Sequence, residues 1–156
     1  MQALSMPLRL LLLAFLLAGC ASEASKPDYE AQEESIDQIL SEPLGEAEYT
    51  EGVRCLPVYS YNSVDILDNR HVVFKGTGGR LWLNRLRNRC TGLRRNDTLK
   101  FDVRASQLCS LDTFEAISLN VVGPTRTSAT CSLGEFMPIT KEQLDGIKAA
   151  LEGGAK

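Results

Sequence analysis

Alternating apolar and polar positions predict β structure in the middle of the chain. From Thr98 to Arg104, the side chains of Leu99, Phe101 and Val103 fall on one side and polar side chains on the other, which is the period of a half-buried strand. Three shorter apolar runs precede it and are separated by the turn sequences Asp68-Asn69 and Gly76–Gly79: Val64–Leu67, His71–Lys75 and Leu81–Asn84. This pattern predicts a meander of short strands joined by tight turns.

Two more strands are predicted downstream. The first is Thr113–Val122, with apolar side chains at Phe114, Ile117, Leu119 and Val121, and Gly123-Pro124 ends it. The second is a short strand within Ser128–Leu133.

The period changes near the C-terminus. Thr140 and Gln143 fit a capping box, and Leu144, Ile147 and Leu151 then recur at helical spacing until Gly153-Gly154 ends the helix. The sequence therefore predicts a mainly β fold, a small antiparallel meander or partly open β-barrel with one C-terminal helix, which occupies residues 54–152.

The N-terminus has the pattern of an export signal. Arg9 precedes the apolar run Leu10–Ala18, which is about half of the roughly 20 residues that a membrane-spanning helix needs. Leu17-Ala18-Gly19-Cys20 resembles the lipobox of bacterial lipoproteins. The resemblance implies a signal peptide over residues 1–19, acylation of Cys20 and a membrane anchor. Because Ala21 rather than Asp follows the cysteine, it also implies outer-membrane sorting, with the protein facing the periplasm.

Charge is distributed unevenly along the chain. Between Cys20 and Asn69 there are twelve acidic and two basic residues, whereas between Arg70 and Arg104 there are ten basic and two acidic residues. Residues 20–53 are acidic and poor in large apolar side chains, so we predict a flexible tether there. Within it, Glu34–Leu40 could form a short helix that Pro43 would stop, although such a helix is too short to be stable alone.

Four cysteines follow Cys20, and their even number in an exported protein predicts two disulfides: Cys55, Cys90, Cys109 and Cys131. Four cysteines allow three connectivities, and the sequence does not choose among them. A metal site is disfavoured because no two of them lie two to four residues apart and His71 is the one histidine. We predict no metal and no cofactor.

An arginine cluster surrounds Cys90 and offers candidate anion-binding residues: Arg85, Arg87, Arg89, Arg94 and Arg95. Guanidinium groups suit bidentate contacts with phosphate or carboxylate. Three interpretations stay open: the cluster binds an anionic envelope polymer or an acidic protein, the acidic tether folds over it, or it is a solvated face. Nucleic acid is disfavoured as a partner at this cellular location.

No catalytic constellation emerges from the spacing of the polar residues. Gly76–Gly79 lacks the Gly-Lys-Ser/Thr ending of a phosphate-binding loop. An enzyme that uses His71 or a carboxylate in a cleft remains the alternative to a non-enzymatic binding or structural module. The candidate carboxylates are Asp65, Asp68, Asp112 and Glu115.

Several spaced motifs resemble an uncharacterised family of small proteobacterial lipoproteins with a domain of unknown function. They are Cys55-Leu56-Pro57, Val64 to Phe74, Gly78 to Leu86, Cys90-Thr91-Gly92-Leu93, Leu108 to Asp112 and Cys131 to Pro138. Thr91 departs from the family, in which Pro is expected. The resemblance implies an envelope location and a disulfide-bearing β domain, and it implies no activity.

Overall fold

The computed structural model of the protein describes residues 29–45, 51–121 and 123–153. The described residues form two α-helices, α1 Tyr29–Ser41 and α2 Lys141–Gly153. They also form ten β-strands: β1 Cys55–Pro57, β2 Tyr61–Ile66, β3 His71–Gly76, β4 Leu81–Arg85, β5 Thr98–Phe101, β6 Gln107–Cys109, β7 Thr113–Asn120, β8 Gly123–Arg126, β9 Cys131–Ser132 and β10 Phe136–Ile139. Short 3-10 turns occupy Val58–Ser60 and Thr77–Gly79.

The fold has three layers, and the middle one is an antiparallel sheet. The strand order of this sheet is β10-β4-β3-β2, and β2, β3 and β4 are the meander that the sequence predicts. The two helices cover one face. A second sheet, with the order β5-β7-β8 and with β9 paired to β7, lies on the other face beside the small β1-β6 ladder. The fold is mainly β, as predicted, and the sheets do not close into a barrel.

Alternation along β3 explains why the central strand is apolar on both faces. Val72 and Phe74 belong to the core between the two sheets, whereas Val73 belongs to the core beneath the helices. All three side chains are fully buried. A strand covered on both faces appears in sequence as a continuous apolar run. Between the sheets, the ring of Phe74 packs against those of Tyr61 and Phe136 at centroid distances of 5.0 and 5.1 Å.

Helix α1 corrects the prediction of a flexible tether over this part of the chain. The predicted short helix is present but longer, and the Ile36 side chain is completely buried in the core beneath the helices. The Nε2 atom of Gln143 donates to the carbonyls of Ile39 and Glu42 at the end of α1, at 3.1 and 3.2 Å. Residues 29–41 are therefore part of the folded domain. Residues 20–28 and 46–50 of the predicted tether lie outside the described residues.

The predicted capping box is confirmed at the start of α2. The Thr140 amide donates to Gln143 Oε1 at 2.9 Å, and the Gln143 amide donates to Thr140 Oγ1 at 3.1 Å. These two bonds satisfy groups that the first turn of a helix leaves without a partner.

The strand containing Phe114 has a different inward face from the one its apolar residues predict. In β7, the side chains of Phe114 and the small Ala116 are buried, while Leu119 is 70% exposed. Gly123-Pro124 does not end the sheet but begins the edge strand β8, where a proline costs no ladder bond on the solvent side.

Two disulfides are present, and they choose one of the three connectivities. Cys55 pairs with Cys109 across the β1-β6 ladder, and Cys90 pairs with Cys131 of β9. The predicted acylation site Cys20 and the signal segment 1–19 lie outside the described residues. Among the described helices, none has the length and apolar character needed to span a bilayer.

Candidate functional site: the arginine-rich loop and the His71 cluster

The segment 85–95, called here the arginine-rich loop, is fixed to the domain from within. The side chains of Leu86 and Leu93 are buried in the core between the sheets, and the Cys90–Cys131 disulfide joins the loop to β9. The amide of Cys90 also donates to the Asn69 carbonyl at 2.7 Å. These contacts fix the backbone of the loop, so the points from which its polar side chains project on the surface are fixed as well.

Gly92 makes this close packing of the loop feasible. Its φ of +84° lies in the left-handed region, and a Cβ atom there would clash with the carbonyl oxygen of Thr127. Glycine alone adopts this backbone conformation readily and has no Cβ atom to clash, which explains why the Cys90-Thr91-Gly92-Leu93 motif has glycine at this position.

The five predicted arginines do not form one common face. Arg85 points beneath α1, where its Nη2 lies 2.7 Å from Asp37 Oδ1 and its Nε lies 3.5 Å from Glu33 Oε2. This arginine is thus neutralised by the acidic helix, as the interpretation of an acidic segment folded over the cluster anticipates.

Arg89 and Arg95 are partly engaged with neighbouring elements. The guanidinium of Arg89 lies 4.2 Å from the centroid of the Tyr29 ring and donates to Asn69 Oδ1 at 2.9 Å. The Nε of Arg95 donates to the Leu67 carbonyl at 2.8 Å, and its Nη1 lies 3.8 Å from a carboxylate oxygen of Glu152. Both retain donors for an outside ligand.

Arg87 and Arg94 are the arginines of the loop that remain exposed without a side-chain partner among the described residues. The nearby carboxylate of Asp97 contacts other groups: its Oδ2 accepts from the Arg94 amide at 3.0 Å and from Thr127 Oγ1 at 2.7 Å. These two guanidinium groups are therefore the most available positive charges of the loop, beside Arg89, which contacts Tyr29 and Asn69 but no carboxylate among the described residues.

His71 lies at the centre of a second polar cluster and is only 1% exposed. Its Nδ1 lies 2.9 Å from Asp68 Oδ1, and its Nε2 lies 3.6 Å from Glu33 Oε2 on α1. Burial raises the pKa of Asp68, but the hydrogen bond and charge of His71, together with two backbone amides, outweigh burial and lower that pKa below its ordinary value. No substrate can reach His71 while α1 is docked.

Glu33 joins this cluster to Arg70, in the turn before β3, and to Arg85, at the end of β4. Its Oε1 lies 3.3 Å from Arg70 Nε, and its Oε2 faces both His71 and Arg85. Within the described residues, every buried side-chain polar atom without a hydrogen-bond partner belongs to this cluster: Glu33 Oε1, Arg70 Nε, His71 Nε2 and Arg85 Nε. The cluster holds α1 mainly through charge rather than through well-aligned hydrogen bonds.

The other candidate carboxylates are engaged separately. Asp65 pairs with Lys75, Asp112 accepts from the Cys109 amide at 2.7 Å, and Glu115 lies 3.0 Å from Arg126. These contacts place them in different parts of the fold, so they do not form a common pair.

A cleft of about 380 Å³ lies between the edge strand β2 and the end of α2. Its basic side chains are Arg95 and Lys148, and its acidic side chains are Asp65 and Glu152. Sequence reasoning missed Lys148 because it is more than 50 residues from Arg95 along the chain. The cleft joins the loop to the helix, and its two basic side chains are balanced by two acidic ones.

A family described as a family of unknown function, DUF6491, matches residues 3–153 of the chain. The chain belongs to the DUF6491 family. The match covers α1, both disulfides and α2, so it extends beyond the Cys55–Pro138 region in which the sequence motifs suggested a resemblance. No curated protein and no solved structure matches the chain.

Proposed function

We propose that this DUF6491 protein is a lipid-anchored envelope lipoprotein whose domain is a non-enzymatic binding or structural module. The observation that carries the binding role is the pair of exposed, unpartnered arginines, Arg87 and Arg94, on a loop fixed by a disulfide. Because the backbone that carries these arginines is fixed, binding an anion orders their side chains but not the loop itself. The partner class is an anionic envelope component or an acidic protein.

The envelope location is supported by two independent features. Leu17-Ala18-Gly19-Cys20 has the pattern that is acylated in lipoproteins, and more than one acyl chain gives stable anchoring where a single chain does not. The four other cysteines pair within the domain, which suits an oxidising compartment. We propose the periplasmic side of the outer membrane, because Ala21 follows the cysteine.

A non-enzymatic role is favoured over catalysis by the environment of the one histidine. His71 is enclosed by α1 and directed at Asp68 and Glu33, so it acts as a structural link between the helix and the sheet. A general base must come within hydrogen-bonding reach of a substrate proton, and this position does not allow it while α1 is docked.

Intact mass spectrometry of the protein purified from envelope membranes tests the anchor. We expect a mass that begins at an acylated Cys20, and four further thiols that become alkylated only after reduction. A mass without lipid would refute the membrane attachment, and thiols that are free before reduction would refute the disulfides.

Binding to immobilised lipopolysaccharide and heparin tests the anion-binding loop. We expect the double variant Arg87→Ser/Arg94→Ser to bind less tightly than the wild type and to keep its melting temperature, since neither side chain has a partner among the described residues. The matched control is Arg54→Ser/Lys100→Ser, which removes the same charge from two exposed basic residues elsewhere that also have no side-chain partner among the described residues. Equal losses in both variants would show that net charge, rather than the loop, attracts the anion.

A further inference from the structure

We propose that the arginine-rich loop lies against anionic phospholipid headgroups of the same membrane that holds the lipid anchor. This inference rests on the proposed acylation of Cys20, and it names the anionic partner of the loop. Three observations lead to it: the length of chain before α1, the place where α1 begins, and the charges exposed there.

The docking of α1 limits the distance between the domain and its anchor. Eight residues lie between Cys20 and Tyr29, and the nine peptide steps that join the two span about 30 Å at full extension. A tether over the whole of residues 20–53 would have reached about 110 Å. The first residue of α1 therefore stays within about 30 Å of the acylated cysteine, which is close to the diameter of a small domain.

Helix α1 begins beside the arginine-rich loop. The ring of Tyr29 lies beneath the Arg89 guanidinium at 4.2 Å, and the Gln32 side chain donates to the Leu151 carbonyl near the end of α2 at 3.3 Å. Arg95 reaches the same end of α2 through Glu152. The end of the domain from which the chain runs towards the membrane is thus the end that carries the loop.

The surface at this end has the chemistry of a headgroup contact. The loop that reaches this end through Arg89 and Arg95 also carries Arg87 and Arg94, which are exposed and unpartnered among the described residues. Arg95 lines a cleft together with Lys148, Asp65 and Glu152. Each basic residue near an anionic surface strengthens binding by about fivefold, and this attraction decays within a Debye length of about 10 Å at 0.1 M salt. A loop held at short range by a short tether can use that attraction.

Vesicle co-sedimentation tests the contact without help from the anchor. The protein is the mature chain from residue 20 with Cys20→Ser, and the vesicles contain either phosphatidylcholine alone or an equal mixture of phosphatidylcholine and phosphatidylglycerol. We expect binding to the mixed vesicles only, and it should weaken as salt is added. For Arg87→Ser/Arg94→Ser we expect about a 25-fold weaker partition. Arg54→Ser/Lys100→Ser should weaken it much less, although the change in net charge is the same.

Other outcomes of this experiment would overturn the inference. Equal partition into both kinds of vesicle, or equal losses in the two double variants, would show that the loop does not contact headgroups. Binding to soluble heparin without binding to mixed vesicles would assign the loop to a polymer or an acidic protein instead.

A second measurement separates this inference from the proposed anchor. Hydrogen exchange of the amides in residues 86–95 is compared for the acylated protein in nanodiscs of the same two lipid compositions. Slower exchange in the nanodiscs that contain phosphatidylglycerol supports the contact. Equal exchange in both kinds of nanodisc, for a protein shown to be acylated, refutes the headgroup contact but not the anchor. If the protein purified from envelope membranes carries no lipid while the Cys20→Ser protein still partitions into mixed vesicles, the anchor is refuted and the headgroup contact stands.

Discussion

Replacing Ile36 by alanine tests whether α1 belongs to the folded domain. The Ile36 side chain is completely buried between the helices and the central sheet, so truncation removes apolar contacts and leaves a cavity. Such substitutions cost about 2–5 kcal/mol. A helix of 13 residues is marginal when isolated, so we expect much of this cost to appear as detachment of α1 from the sheet.

Hydrogen exchange resolved by peptide is the assay, because it distinguishes local detachment from global unfolding. At 2–5 kcal/mol, the amides of α1 should exchange about 30-fold to several thousand-fold faster in Ile36→Ala, up to the rate of a fully detached helix. The amides of β3 should change much less. Glu34→Ala is the control on the same helix; its side chain is exposed, and surface substitutions stay within about 0.5 kcal/mol.

Two results would refute this reasoning. Exchange of α1 at the rate of an unstructured peptide in the wild-type protein would mean that the helix is not docked. Unchanged protection in Ile36→Ala would mean that the buried isoleucine does not hold it. The first result would also remove the limit of about 30 Å on the distance between domain and anchor, whereas the second would leave the helix docked and refute only the role of Ile36.

Three further substitutions test other parts of the fold. Replacing Cys90 and Cys131 together by serine should lower the free energy of unfolding by about 4 kcal/mol, given the 41-residue separation; a loss below about 1 kcal/mol in denaturant melts would contradict this. Gly92→Ala should lower the melting temperature far more than Gly78→Ala, since both have positive φ but only the first has a clash; equal shifts would refute the packing argument. Because the pKa of Asp68 is lowered in the folded protein, its contribution to stability is present at neutral pH and is lost as the pH falls below about 3.8. The free energy of unfolding of Asp68→Asn, measured in urea, should therefore fall less steeply with decreasing pH than that of the wild type, and an equal slope would refute this.

The meander could be predicted from sequence because its information is local. Turn residues separate short apolar runs at β2, β3 and β4, and the pairings β2-β3 and β3-β4 join strands that follow one another along the chain, whereas the pairing of β4 with the remote β10 was not predicted. The face of β7 could not be predicted in the same way. Ala116 fills the tight space between the sheets, while Leu119 lies on the exposed part of the hairpin, so size and position within the sheet override apolar character.

The docking of α1 was missed for a related reason. The composition of residues 20–53 is that of a disordered segment, and the contacts that order its helix come from remote parts of the chain. Gln143 binds the end of α1 from more than 100 residues away, and the Glu33 carboxylate meets Arg70 and His71 on the central sheet. A short amphipathic helix within an acidic segment is a weak local signal whose stability depends on tertiary packing.

The candidate anion site was predicted as a cluster, but its functional members depend on strand geometry. Arg85 ends β4 on the face beneath α1, whereas Arg87 lies beyond the strand and is exposed, although only one residue separates them. Charge counting along the chain cannot make this distinction. The acidic segment pairs with Arg85, whereas Arg87 and Arg94 are exposed without a side-chain partner among the described residues, and binding of an anion by these two stays a prediction.

This division of the arginines bears on how the proposed membrane contact would work. Two free guanidinium groups at about fivefold each provide only modest attraction, far less than the acyl chains proposed on Cys20. The loop is therefore expected to orient the domain rather than to attach it. Helix α1 contributes in two opposing ways, since docking shortens the link to the membrane while Asp37 and Glu33 remove Arg85 from the exposed charge. Acylated Arg87→Ser/Arg94→Ser protein should accordingly stay in the membrane fraction but lose the protection of residues 86–95, and release of that variant from the membrane would contradict the distinction.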